Sequence, residues 1–180
     1  MNQAFTIFTI FATVATLNIN QFMGKWYQVY SDPFVKSTFE QNGRCVEANY
    51  ELVSKNNISV HNLQLDKDGK IQEIYGYAFL SNPNKPGKLT VNLNGHNAPY
   101  WVYELGPINN NLYDYAIVSD PTRTSLFVLT RNVERFYKMY DNQVLDTLKK
   151  LKFTNLRNKP VKTDQNDCNI KSNYNKSRGH

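Results

Sequence analysis

The chain has 180 residues, enough for one well-buried domain and too few for two of ordinary size. Its formal net charge of +6 sits at one end: residues 1–148 carry 12 Lys/Arg against 13 Asp/Glu, and residues 149–180 carry 9 against 2. The body is almost neutral and its 12 Tyr and 10 Phe are not interleaved with Lys or Arg, which excludes a nucleic-acid-binding face. The basic end reads as a solvated charge run, with peripheral contact to an anionic membrane or lipid particle as the alternative.

Residues 4–17 form an uncharged apolar stretch. Its 14 residues fall short of the roughly 20 that a membrane-spanning helix needs. It is read as part of a signal peptide over residues 1–15 with Thr13-Val14-Ala15 as the cleavage site, although no Lys or Arg precedes the run. Gly24-Lys25-Trp26-Tyr27 opens a first strand over 24–30, ended by Ser31-Asp32-Pro33 because proline cannot donate to a ladder. An irregular segment follows to Arg44. Over 46–52, Val46, Ala48, Tyr50 and Leu52 share one face and Glu47, Asn49 and Glu51 the other, the alternation of a strand with one buried side.

A turn at 54–57 leads to a partner strand, 58–65, whose apolar set shifts from Ile58/Val60 to Leu63/Leu65; this predicts a bulge near His61-Asn62. Asp66-Lys67-Asp68-Gly69 is a hairpin turn, and strand 71–80 holds Gly76, a sign of a bend or a close backbone approach. Strands over 88–93, 100–105, 113–119 and 126–130 complete eight, with connections short enough for antiparallel neighbours. Val133, Phe136, Tyr137, Tyr140, Val144, Leu148 and Leu151 recur at helical spacing, and Asp141-Asn142 can split that helix in two. The chain from Asn155 onward is polar. Eight antiparallel strands and one C-terminal helix predict an all-β, up-and-down barrel whose interior holds side chains or one small ligand. Pattern alone also permits a β-sandwich; the lone helix after the last strand favours the barrel.

Convergent catalytic groups are not evident. His61 in a strand, His96 in a connecting loop and His180 at the terminus have no metal-ligand spacing, and each reads as a surface or bend residue. Glu104 and Asp114 fall on adjacent predicted strands, with Glu104 expected in solvent and Asp114 expected to bind backbone near its turn. No phosphate-binding loop stands between a strand and a helix. Cys45 and Cys168 either pair in an oxidising compartment or are two unrelated buried thiols. The sequons at Asn57 and Asn175 are compatible with secretion.

Gly24-x-Trp26, the Asp114-Tyr115 block and Arg131 after the last strand, in this order and at these spacings, resemble the three signatures of the lipocalin family. Further blocks resemble that family's apolipoprotein D branch, which the bacterial lipocalins share in part: 39–50, 98–102, 115–118 and 163–168. The resemblance implies an eight-stranded barrel over 16–168 with its helix, followed by a polar basic tail over 169–180. It implies that Trp26 closes one end with Arg131 stacked on its indole, and that Cys45 and Cys168 form a disulfide. It further implies that Tyr50, Asn62 and Phe127 face a ligand cavity. The implied function is a secreted, non-enzymatic carrier of a small hydrophobic molecule (fatty acid, sterol, lysophospholipid, retinoid or tetrapyrrole), without cofactor or metal. Alternatives are a protein-binding barrel acting through its loops, or reduction of lipid peroxides by one of Met1, Met23 and Met139, with Met139 expected to pack. Two features depart from that branch: its second disulfide has no cysteines here, and no N-terminal cysteine stands ready for lipidation.

Overall fold

The computed structural model describes residues 14–80 and 82–168. Most of the expected signal peptide, Met1, His180 and the tail with Asn175 lie outside the described residues. Asn18 caps a one-turn helix, α1 (Ile19–Phe22), by accepting from the Asn20 N–H. There follow β1 (Gly24–Ser31), α2 (Pro33–Thr38), β2 (Arg44–Ser54), β3 (Asn57–Leu65), β4 (Ile71–Leu80), β5 (Lys88–Leu93) and β6 (His96–Leu105). A small hairpin of β7 (Ile108–Asn109) and β8 (Leu112–Tyr113) precedes β9 (Tyr115–Ser119) and β10 (Leu126–Thr130). The chain ends on α3 (Val133–Met139), α4 (Asp141–Lys150) and β11 (Val161–Lys162).

Eight strands pair in the order β10-β9-β6-β5-β4-β3-β2-β1, and β10 pairs back onto β1, closing an antiparallel barrel that leaves its sheet no free edge. The β1–β2 ladder runs from Gly24↔Tyr50 to Tyr27↔Glu47. Above that point β11 adds to β1 instead, at Tyr30↔Lys162 and Ser31↔Val161. The C-terminal segment thus fills the gap where β2 leaves β1. Cys45 is bonded to Cys168, and the Cys45 N–H donates to the Asp164 carbonyl at 2.8 Å.

Two cores result. Trp26, Tyr50, Val60, Val102, Ala116 and Val118 point inward, while Val29, Tyr115, Ile117 and Val128 point outward onto Phe136, Val144 and Leu148 of the helices. Every residue of β9 is buried, because the interior covers one of its faces and the helices the other. The helical stretch divides at Tyr140, as the Asp141-Asn142 pair suggests.

Four local expectations are corrected. No bulge occurs at His61-Asn62: β3 and β4 pair without a slip from Asn57 to Leu65. The apolar set shifts because the inner face turns polar at Asn62 while Leu65 is buried from outside; the irregularities lie along β2. His96 lies at the start of a strand and not in a loop, since Asn94 and Gly95 both take positive φ, forming a tight turn after which Leu93 pairs His96 at once. The strand expected over 113–119 is interrupted at Asp114, and the irregular segment before Arg44 contains α2, which Asp32 caps through the Val35 N–H. Gly76 is a close approach: a Cβ there would stand 2.1 Å from the Asn92 carbonyl oxygen.

Candidate functional site

The closed end is built around Trp26, fully buried at the start of β1. Its indole N–H donates to the Phe22 carbonyl at 2.8 Å, tying α1 across the barrel. The Arg131 guanidinium lies 3.5 Å from the indole centroid. Its nitrogens donate to the carbonyls of Lys25, Gln21, Phe22, Met23 and Tyr113, so the fork gathers the segment that crosses the barrel end. Burial draws its pKa down to about 10, and the group remains charged at neutral pH. Gly24 is required here. Its φ is +91°, and Arg131 Nη1 lies 3.5 Å from where a Cβ would stand.

Above this floor a ring of aromatics fills the lower barrel. Phe22 stacks on Tyr50 with centroids 5.6 Å apart, and the Tyr50 and Tyr100 hydroxyls meet at 3.1 Å. Burial pushes the Tyr50 phenol up to about 12 and the Tyr100 phenol well above its ordinary value, so both stay neutral donors. The cavity left between these rings and Ile58, Val60, Ala78, Leu89 and Val91 measures only about 10 Å³, room for one water at most.

Higher in the barrel the inward side chains of Asn62, Val91, Leu93 and Phe127 are only half-buried. Asn62 sits opposite Ala48 and Ile74, on the inner face it shares with Val60. Its Oδ1 is buried and has no hydrogen-bond partner. Phe127, on β10 opposite Ser31 and Val118, packs against the inner cluster. The structure therefore brings Tyr50, Asn62 and Phe127 to one interior, at two depths. Sequence reasoning missed Phe22 and Tyr100. Phe22 lies in a helix too short to show a period; Tyr100 shares the parity of the buried Val102.

Elsewhere, Asp114 does not bind backbone through its side chain. Its carboxylate, only 2% exposed, is paired instead by Arg135 and the Tyr140 hydroxyl of the helical segment. Glu104 is half-buried and not free in solvent, and it accepts from the Tyr115 hydroxyl at 2.7 Å. Met139 is 61% exposed, contrary to the packed position expected of it. Asn57 is exposed beside the β2–β3 turn, and His61 contacts Glu73 at 3.0 Å on the outer wall. Among the described residues no cluster of three His, Cys, Asp or Glu side chains could hold a metal ion.

A closed antiparallel barrel of eight strands, crossed at one end by α1 and Trp26, defines the class of small barrels whose interior holds side chains or one small ligand. Residues 17–167 match the Lipocalin-like domain, and the chain belongs to the lipocalin family. Lipocalins bind small hydrophobic molecules. The chain is 33% identical to apolipoprotein D of Macaca fascicularis over 162 residues, covering 83% of this chain and 77% of that protein. With apolipoprotein D of Bos taurus it shares 38% over 87 residues, 47% of this chain and 44% of the relative, so that match spans under half the relative's length. Among solved structures it is similar to lobster apocrustacyanin A1, with a TM-score of 0.61, 18% identity, and coverage of 88% of this chain and 86% of that one. That last likeness concerns the fold alone.

Proposed function

We propose that the protein is a secreted carrier that holds a small hydrophobic molecule in the upper cup, against Phe127 and with a polar group at Asn62. The observation that carries the reading is the buried, unpartnered Asn62 Oδ1 on an inner face packed mostly with apolar side chains. An unmet buried acceptor costs about 1–3 kcal/mol, which a ligand donor recovers. Micromolar binding corresponds to about 8 kcal/mol. At about 25 cal/mol per Å² the ligand must bury at least roughly 300 Å² of apolar surface. The disulfide supports an oxidising destination, and the apolar run at 4–17 supports export as a signal peptide. Exposed Asn57 is then open to glycosylation.

Protein made in a secretory host should release an apolar molecule on solvent extraction, seen by mass spectrometry. Micromolar retinol should quench the fluorescence of Trp26 or Trp101. If nothing copurifies and no apolar probe binds, the carrier reading fails. The small size of the cavity lined by Tyr50 and Tyr100 favours a second reading, a filled barrel that binds a protein through its loops. Native mass spectrometry showing an empty barrel with a protein partner would decide for it.

A further inference from the structure

We infer that an N-linked glycan on Asn57 lies across the outer face of β4, with its first sugar stacked on Phe79 and Tyr77. This rests on the secretion in the reading above, since only an exported chain meets the glycosylating machinery. The sequon Asn57-Ile58-Ser59 opens β3, and the ladder to β4 sets Asn57 directly opposite Phe79 and Ser59 directly opposite Tyr77. Ile58 between them is buried, so the acceptor amide and its hydroxyl both face outward, and Asn57 is exposed. Side chains directly opposite on one face of a sheet have Cβ atoms about 5 Å apart, within reach of a ring joined to the Asn57 amide.

The outer face of β4 suits such a cover. Helices α3 and α4 pack on the outward residues of β1, β9 and β10, whereas on β4 Tyr75 is 64% and Tyr77 49% exposed. The Tyr77 and Phe79 rings stand side by side, centroids 6.1 Å apart and tilted by 31°, as a shelf that begins opposite Asn57. Beyond Tyr77 the shelf is already engaged: Tyr75 stacks on His61 at 4.3 Å and its hydroxyl donates to Glu73. Ser59 and His61 of β3 border the strip on one side, Thr90 and Asn92 of β5 on the other. An apolar strip one strand wide with polar borders is too narrow for the core of a stable protein interface. It matches an N-acetylglucosamine ring, which presents C–H bonds on its face and hydroxyl and acetamido groups around its rim.

The full chain carrying Ser177→Ala, which removes the sequon at Asn175, is to be made in a glycosylating secretory host. Peptide mass spectrometry should find Asn57 occupied. Trimming the glycan to its first sugar should leave the urea midpoint unchanged, and releasing that sugar with an amidase should lower it by about 0.5 M. With Tyr77→Ser and Phe79→Ser together, release should no longer move the midpoint. On the unaltered wall, the ring protons of the trimmed sugar should resonate upfield of the same sugar on an unfolded glycopeptide, shifted by the aromatic rings beneath it. Ring protons at the glycopeptide positions would overturn the inference, whatever the midpoint does. Exported protein with Asn57 bare also overturns it and leaves the carrier reading standing. A chain retained in the host with residues 1–15 still attached brings down the secretion reading itself.

Discussion

Replacing Cys45 and Cys168 together by serine removes a cross-link whose ends stand 123 positions apart. Chain entropy lost by an unfolded loop of that length is about 16 cal/mol/K, or about 5 kcal/mol at 25 °C. The folded protein gives up little else. The tail keeps the Cys45 N–H to Asp164, the Thr163 N–H to Val29, and the Gln165 side-chain bonds to the Gln28 and Val46 carbonyls. Most of the loss therefore acts through the unfolded chain. Equilibrium unfolding in urea, followed by tryptophan fluorescence, should show a midpoint lower by about 2.5 M, taking a slope of about 2 kcal/mol/M. The slope itself should rise, because an uncrosslinked chain exposes more surface. Wild-type protein unfolded in reductant should overlay the double variant. A midpoint shift under about 0.5 M, with the wild-type bond verified by mass, would refute the reasoning, since the unfolded chain would then gain no freedom from losing the bond.

Arg131→Met keeps the length of the side chain but strips the fork from the backbone carbonyls around α1. It should cost about 3–5 kcal/mol in urea unfolding, and Arg131→Lys should restore little, since one ammonium cannot serve the same oxygens; a lysine variant as stable as the wild type would show that charge alone suffices. Asp32 gives a pH test. Burial raises it from 3.8 to about 6 in the folded protein. A carboxyl raised on folding binds more protons in the native state, so its contribution is full below about pH 4 and is lost as pH rises through about 6. Asp32→Asn retains an oxygen for the Val35 N–H and should raise the urea midpoint at pH 7.5 while leaving it unchanged at pH 4. A variant less stable than the wild type at pH 7.5 would count against this account.

How much of this was legible in the sequence depends on the range of the forces involved. Strand positions came through because period-2 alternation reports one buried face, and Ala48 and Tyr50 behave as read; at the ends of that run the reading fails, with Val46 only half-buried and Glu47 buried beside a register shift, and with Leu52 exposed. The helix break at Tyr140 came through because it is local. The bulge at His61-Asn62 failed for an instructive reason. A change of apolar parity was taken for a change of backbone register, whereas the backbone is regular and the inner face itself becomes polar. That polar step, Asn62, is the feature on which the proposed function turns. Asp114 shows the opposite limit: its partners, Arg135 and Tyr140, lie 21 and 26 residues away, beyond any local pattern.

The depth of the cup was also beyond reach of the sequence. Trp26 marks the barrel floor by motif, but the working floor is set higher, where Phe22 stacks on Tyr50 and Tyr50 meets Tyr100. These contacts join residues 28 and 50 positions apart, through a hydroxyl pair and a helix of 4 residues. In the proposed carrier, a ligand stopped at that level would meet Asn62 and Phe127, which stand on the inner face above it. A long chain laid along the barrel axis would have to displace the aromatic ring first.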